Sequence, residues 1–399
     1  MVIEFDHFNK STLCYFVRRI NAGIAADKSD RRVNLIMKSD FFSAPEVIAP
    51  LAGLIDKLKE KGFNIKIEFN ENQLSSSGIN SPFTVENNEY ELLSPMYKVW
   101  KYSDADEVYK IVTALVKFLN CKAICAKGVV EAFEWTVNEV MDNVIQHSHS
   151  TYGYIVCTVT SNLHASIAIY DNGIGILQSF QNSKYRFGSA KEAIMAAMRE
   201  NTTSNPKVGQ GNGLWGMSKL IENNHGNLSI TSSNAIVSID DKNQIYQKEV
   251  KMIINTIPQI SVGTLVDFQF QCNNEIDIKE VFGANYVFTN LNLEQMEDEK
   301  NQIFINVKEF SFGCATRKAG EMARIFTINC ATQSNMQQQI IIDFSGVSIV
   351  ASSFADEYLG KLIQHFGFIQ FNNLFRIVNI NESNMAIINR SIMQRISEQ

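Results

Sequence analysis

The chain has 399 residues, long for one domain, and predicts two or three. Hydrophobic residues make up 45% and charged residues 20%, the balance of an ordinary soluble globular protein, and a formal charge of -6 without a basic block argues against nucleic acid as a partner. No apolar run reaches the roughly 20 residues a membrane helix needs, and the N-terminus lacks a basic stretch followed by an apolar one, so neither a membrane span nor a signal peptide is expected.

In chain order, a first predicted block covers residues 1–95. It holds a short strand at Val33–Met37, an amphipathic helix over 44–61 stopped by Gly62, an alternating strand at Asn64–Phe69, and a linker rich in Asn, Ser and Gly over 71–90. A second block covers 96–275. Its predicted helices lie near 104–120 and 126–148, with strands near 152–160 and 164–171. A loop-rich stretch follows, then a helix from Gly213 and strands near 227–233, 250–256 and 263–271. The fold class is α/β (α+β). Its centre is a two-layer sandwich with a mixed, mostly antiparallel sheet and helices on one face.

The third block covers 298–399. Gln339–Phe344 is an apolar run suited to a buried strand, Ala355–Phe366 has helical periodicity, and Arg376–Ile380 is another strand. This order echoes residues 33–69, either as a diverged internal repeat or as the generic βαβ pattern. The seven cysteines are scattered. Cys121 and Cys125 share a helical spacing, but no second pair completes four metal ligands. Buried reduced thiols in a reducing cytoplasm are the expectation.

Three short motifs stand in the central block. Glu139, Asn143 and His147 are spaced four apart on the predicted helix and share one face. Alone, they read as a solvated face. Asp171-Asn-Gly173-Ile-Gly175 closes an apolar strand, and alone reads as a hairpin turn. Gly209-Gln-Gly211-Asn212-Gly213-Leu214 leads into a helix whose free backbone N–H groups suit phosphate oxygens, with Lys207 beside it. The literal GxGxxG match at Gly211, Gly213 and Gly216 lacks the preceding strand that a dinucleotide fold needs. A Walker A loop fails because Met217-Ser218 follows Gly216.

Taken together and in this order, the motifs resemble the ATP-binding Bergerat fold of the GHKL superfamily. They are most similar to the branch of histidine kinases and anti-sigma-factor kinases. The resemblance implies ATP and Mg2+ as cofactors. It gives Glu139 the task of polarising the attacking water, Asn143 that of binding Mg2+, and Asp171 that of accepting the exocyclic amine of adenine. Gly173 and Gly175 would let the backbone approach the ring, and Gly209, Gly211, Asn212, Gly213 and Leu214 would form the phosphate turn. Lys207 would reach towards a terminal phosphate, and Thr264 would support the adenine end. Residues 177–208 would be the ATP lid. His147 matches the branch's histidine, with a phosphate-side or a structural role both open.

Asp343–Leu359 resembles a STAS-like domain, of the kind in which a serine at the strand-to-helix turn is phosphorylated by a GHKL kinase. Ser353 falls at the matching point with Ser352 beside it. The family's Asp is here Ala351 and its Gly is Phe354, which puts kinase docking in doubt; the alternative is that both serines cap the helix. The only histidine before residue 140 is His7, which speaks against an autophosphorylating histidine kinase.

The expected function is an ATP-binding regulator in which Mg-dependent binding and slow hydrolysis switch the flanking STAS-like domains towards a protein partner. A serine kinase acting on Ser353 or on a partner, and a non-catalytic scaffold, stay open beside it. A homodimer is an expectation by analogy only.

Overall fold

The computed structural model describes residues 2–5, 10–26, 31–37, 44–68, 75–181, 183–202, 212–250, 260–283, 291–310 and 313–397. Contacts divide the chain into two units. One comprises Met1–Leu115, Ala132–Gln271 and Lys279–Gly283; the other comprises Val116–Glu131, Cys272–Ile278 and Ala284–Gln399.

The first unit opens with β1 (Val2–Phe5), α1 (Lys10–Ala26), β2 (Arg32–Met37), α2 (Pro45–Glu60) and β3 (Asn64–Glu68), a parallel sheet in the order β1-β2-β3. β1 and α1 were not predicted. α1 forms because Leu13, Cys14, Phe16, Val17 and Ile20 recur at helical spacing, and all are buried.

The second sheet of this unit has seven strands. They are β4 (Trp100–Tyr102), β5 (Gly153–Val159), β6 (His164–Asp171), β7 (Asn227–Ser232), β8 (Ala235–Ile239), β9 (Ile245–Glu249) and β10 (Thr264–Gln271). The described pairings are all antiparallel, in the order β4-β5-β6-β10-β7-β8-β9. The predicted strand at 250–256 falls outside the described residues from 251 on, and the β8–β9 hairpin stands before it. The helices are α3 (Ala105–Lys122), α4 (Val129–His147), α5 (Ile176–Ser179), α6 (Ala190–Ala197), α7 (Gly213–Asn224) and α8 (Ile278–Phe282).

The sandwich has more than the expected layers. α2 lies against β5, β6 and β10 on the face that carries Tyr154, Val156, Ala168, Tyr170 and Leu265, and these residues share one core with α1 and α2. Gly53 makes this approach possible, because a Cβ there would stand 2.7 Å from the Tyr170 ring and 2.9 Å from that of Tyr154. Asp56 of α2 accepts hydrogen bonds from Lys101 Nζ at 2.6 Å and from the Tyr154 hydroxyl at 2.8 Å. Covered on both faces, β5 and β6 are buried at nearly every position, which explains their near-continuous apolar sequences.

The second unit contains α9 (Leu291–Glu294), β11 (Ile303–Asn306), α10 (Val307–Phe310), α11 (Arg317–Gln333), β12 (Ile340–Asp343), α12 (Ser352–Ala355), a π turn at Asp356–Gly360, α13 (Lys361–Phe366), α14 (Phe368–Leu374), β13 (Phe375–Val378) and α15 (Glu382–Ser397). Its parallel sheet runs β11-β12-β13, with Ile303, Ile305, Ile340 and Ile342 packed in one core with Phe354 and Tyr358. Thr316 caps α11 by accepting the Ala319 N–H at 3.1 Å. Asn329, fully buried, ties residues 120–125 to α11. Its amide donates to the carbonyls of Asn120 and Ala123 at 2.9 and 2.8 Å and accepts the Cys125 N–H at 2.8 Å. All seven cysteines are buried thiols outside any disulfide. Among the described residues no helix is long and apolar enough to cross a membrane.

Candidate functional site

The insertion of β10 between β6 and β7 creates the site. It sets Asp171, Thr264 and Ser232 side by side at one end of three neighbouring strands. The Asp171 side chain accepts the Gly173 N–H at 2.7 Å and the backbone N–H of Thr264. Burial nevertheless dominates and pushes its carboxyl from 3.8 up to about 7. The Thr264 hydroxyl lies 3.2 Å from Ser232 Oγ, which also accepts the Ile176 N–H at 2.9 Å.

The loop after Asp171 is held close. Ile174 N–H donates to the Ser148 carbonyl at 2.8 Å, and a Cβ on Gly173 would stand 2.1 Å from that same oxygen. Gly175 has a φ of +79°. Asn172, inside this motif but not singled out from sequence, donates from Nδ2 to the Gly53 carbonyl at 2.8 Å.

Elsewhere in the same unit, α4 and the start of α7 converge. A Cβ on Gly213 would stand 2.6 Å from Glu139 Oε2 and 3.4 Å from Asn143 Nδ2. Burial, followed by the neighbouring Asp142, raises the Glu139 carboxyl above its usual range. The Asn143 Nδ2 atom is buried with no hydrogen-bond partner among the described residues. An orphaned buried amide N–H beside a helix start fits a hydrogen-bond acceptor such as a phosphate oxygen, and an Mg2+ ion would be met by the Oδ1 of the same amide. Asn212 precedes α7 and accepts the Asn201 N–H at 3.1 Å. Lys207, Gly209 and Gly211 lie outside the described residues.

Residues 128–258 match the family model described as histidine kinase-, DNA gyrase B-, and HSP90-like ATPase, and residues 323–385 match that of a STAS-like domain of unknown function. The chain carries a GHKL ATPase domain and a C-terminal STAS-like domain. Among solved structures it is similar to the histidine kinase domain from Erythrobacter litoralis EL346 blue-light activated histidine kinase. That likeness has 13% identity over 65% of this chain and 94% of the other, with a TM-score of 0.22. No curated protein matches it.

A GHKL domain implies nucleotide binding, and the described predicted residues gather in two clusters, Asp171, Gly173, Gly175 and Thr264 in one and Glu139, Asn143 and Gly213 in the other. His147 ends α4, and burial pushes its imidazole below the usual histidine value, with His149 adding to the effect. The part of the predicted lid segment that is described folds around Phe180, Ala193 and Ala197, against which Tyr185, Phe187 and Leu214 pack. Leu214, in the first turn of α7, thus joins that cluster to α7.

In the STAS-like domain one expectation is overturned. Ser352 and Ser353 do not cap the helix. Ala351 is the capping position and makes no side-chain cap bond, since it has no acceptor to offer. Phe354, expected to crowd a docking partner, is fully buried and packs edge-on against Tyr358 at 5.7 Å between ring centroids. Ser352 is exposed and Ser353 half-buried.

Proposed function

We propose that this protein is an ATP-dependent switch in which nucleotide binding and slow hydrolysis at the GHKL domain change how its STAS-like domain meets a protein partner. The observation that carries this reading is the convergence of the Glu139 carboxylate and the Asn143 amide on Gly213 at the start of α7. Mg2+, when bound with the nucleotide, supplies neutralisation of phosphate charge, and Asn143 is the residue that holds it. Asp171 accepts the exocyclic amine of adenine, and Thr264 and Ser232 fix the backbone around it. The opening turn of α7 offers its N–H groups to phosphate oxygens. Glu139 orients a water and takes its proton, and its raised affinity for protons suits that task.

A second reading is favoured by the serines. Uncapped hydroxyls ahead of a buried Phe354 leave Ser353, with Ser352, as phosphoacceptors for a serine kinase reaction on this chain or on a related partner. A scaffold that binds ATP without turnover is the third. We also read the N-terminal βαβαβ layer as a diverged copy of the STAS-like domain, because both sheets are parallel with strands in chain order.

γ-Labelled ATP with Mg2+ separates the readings. Free phosphate that disappears with Glu139→Ala and leaves the protein unlabelled supports the switch. Label that vanishes with Ser353→Ala supports the kinase. Bound ATP with neither signal supports the scaffold. No binding at all sinks all three.

A further inference from the structure

We propose that Asn21 of α1 is a positioning residue of the nucleotide site, and that the N-terminal layer is the support on which the adenine-end loops are held. This inference rests on the nucleotide reading above. Asn21 lies far ahead of the segment that matches the GHKL family, which begins at residue 128.

Asn21 spends both polar atoms of its side chain on one residue 239 positions away. Nδ2 donates to the Ile260 carbonyl at 2.9 Å, and Oδ1 accepts the Ile260 N–H at 3.0 Å. Ile260 is 3% exposed and sits in the core formed with α1 and α2. The three residues after it are fixed in turn. Ser261 Oγ lies 3.0 Å from the Asn172 carbonyl and 2.9 Å from that of Gly173. The Tyr170 hydroxyl donates to the Val262 carbonyl at 3.0 Å. Gly263 lies so close to the Asp171 carbonyl that a Cβ would stand 1.8 Å from it. Next comes Thr264, whose N–H reaches the Asp171 carboxylate.

The facing loop is tied to the same layer, because Asn172 Nδ2 donates to Gly53 of α2 at 2.8 Å. Loop backbone that leaves the solvent must find partners. Here the backbone of Ile260 finds them on α1, and the Asn172 side chain ties the facing loop to α2. Undocking α1 frees residues 260–264 and loosens the surroundings of Asp171. By linkage, a nucleotide bound at Asp171 tightens the docking of α1 by the same factor. The N-terminal layer is therefore an input: whatever shifts α1 shifts adenine affinity.

The test measures binding of MgATP and MgGTP to the full chain as wild type, Asn21→Asp and Asn21→Leu, with thermal melting beside it. Asn21→Leu loses both bonds to Ile260, whereas Asn21→Asp keeps the acceptor. Ordered adenine-end loops discriminate between the bases, so the decisive readout is the ratio of ATP to GTP affinity. The expected result is a loss of ATP affinity of about tenfold in Asn21→Leu with the ratio narrowed, and a smaller loss in Asn21→Asp. An equal fall for both nucleotides marks general destabilisation and overturns the proposal, as does unchanged ATP binding in a folded Asn21→Leu. Should Asn21→Leu fail to fold, Asn21→Asp with an unaltered ratio overturns it equally. Wild-type protein that binds neither nucleotide defeats the nucleotide reading itself, and this inference with it.

Discussion

Glu139 and Gly213 leave no room for a methyl group between them: a Cβ at 213 would stand 2.6 Å from Glu139 Oε2. The atom in the way is the far end of a flexible side chain, so Gly213→Ala is relieved by moving the carboxylate and the fold survives. The displaced carboxylate no longer orients water. We expect Gly213→Ala to melt close to wild type while ATP hydrolysis falls about 100-fold. Parallel melting and phosphate-release assays check this.

Glu139→Gln keeps the side-chain volume and removes the proton acceptor. Hydrolysis is expected to fall by roughly 10²- to 10⁴-fold with ATP affinity nearly unchanged. Because burial and Asp142 raise the Glu139 carboxyl, wild-type hydrolysis should climb with pH through a midpoint above the ordinary glutamate value. A rate profile in the variant that keeps this limb would assign it to another group.

Asp171 binds its proton more tightly in the folded chain, at about 7, than unfolded, at 3.8. The folded state therefore holds the extra proton between those values. Its contribution to stability is fully present below the lower one and is lost as pH rises through the upper. The ligand-free chain should lose thermal stability across this window, and Asp171→Asn should flatten that part of the curve. An adenine amine favours the ionised carboxylate, so ATP binding just below neutrality should release a proton. Calorimetry in buffers of different ionisation enthalpy measures that proton.

Gly53→Ala places a methyl group against the rings of Tyr170 and Tyr154, inside a packed core with no flexible chain end to give way. A cost of about 1–3 kcal/mol is expected from overpacking, read as a lowered denaturation midpoint. Unchanged stability would mean that α2 is not seated on the sheet.

The motif residues were legible because their chemistry contradicts their surroundings. Glu139 and Asn143 are polar where a helix face should be apolar, and Asp171 ends a run of buried residues. The supports of the site were not legible. Nothing in the sequence around Asn21 or Gly53 points to residues 260 or 172, because these are long-range backbone contacts without a local pattern. α1 carried a readable apolar spacing and was still missed. The β8–β9 hairpin was missed for a different reason: β9 is exposed at every position and shows no alternation. The serines looked like caps because Ser is a favoured capping residue. The helix begins at Ser352 with Ala351 in the capping position, ahead of both serines, and the Ala351 N–H is held by the Cys314 carbonyl at 2.9 Å.

The position of β10 ties the middle of the sheet to one of its last strands in the chain. The segment that the GHKL family recognises ends at residue 258, yet β10, at 264–271, is hydrogen-bonded between β6 and β7 near the middle of the sheet. One face of that sheet is sealed by a helix encoded some 80 residues before the segment begins. Cut out along its family boundaries, the piece would have a gap in its middle and a bare apolar back. The sheet is completed only by β10, and its back is covered only by α2.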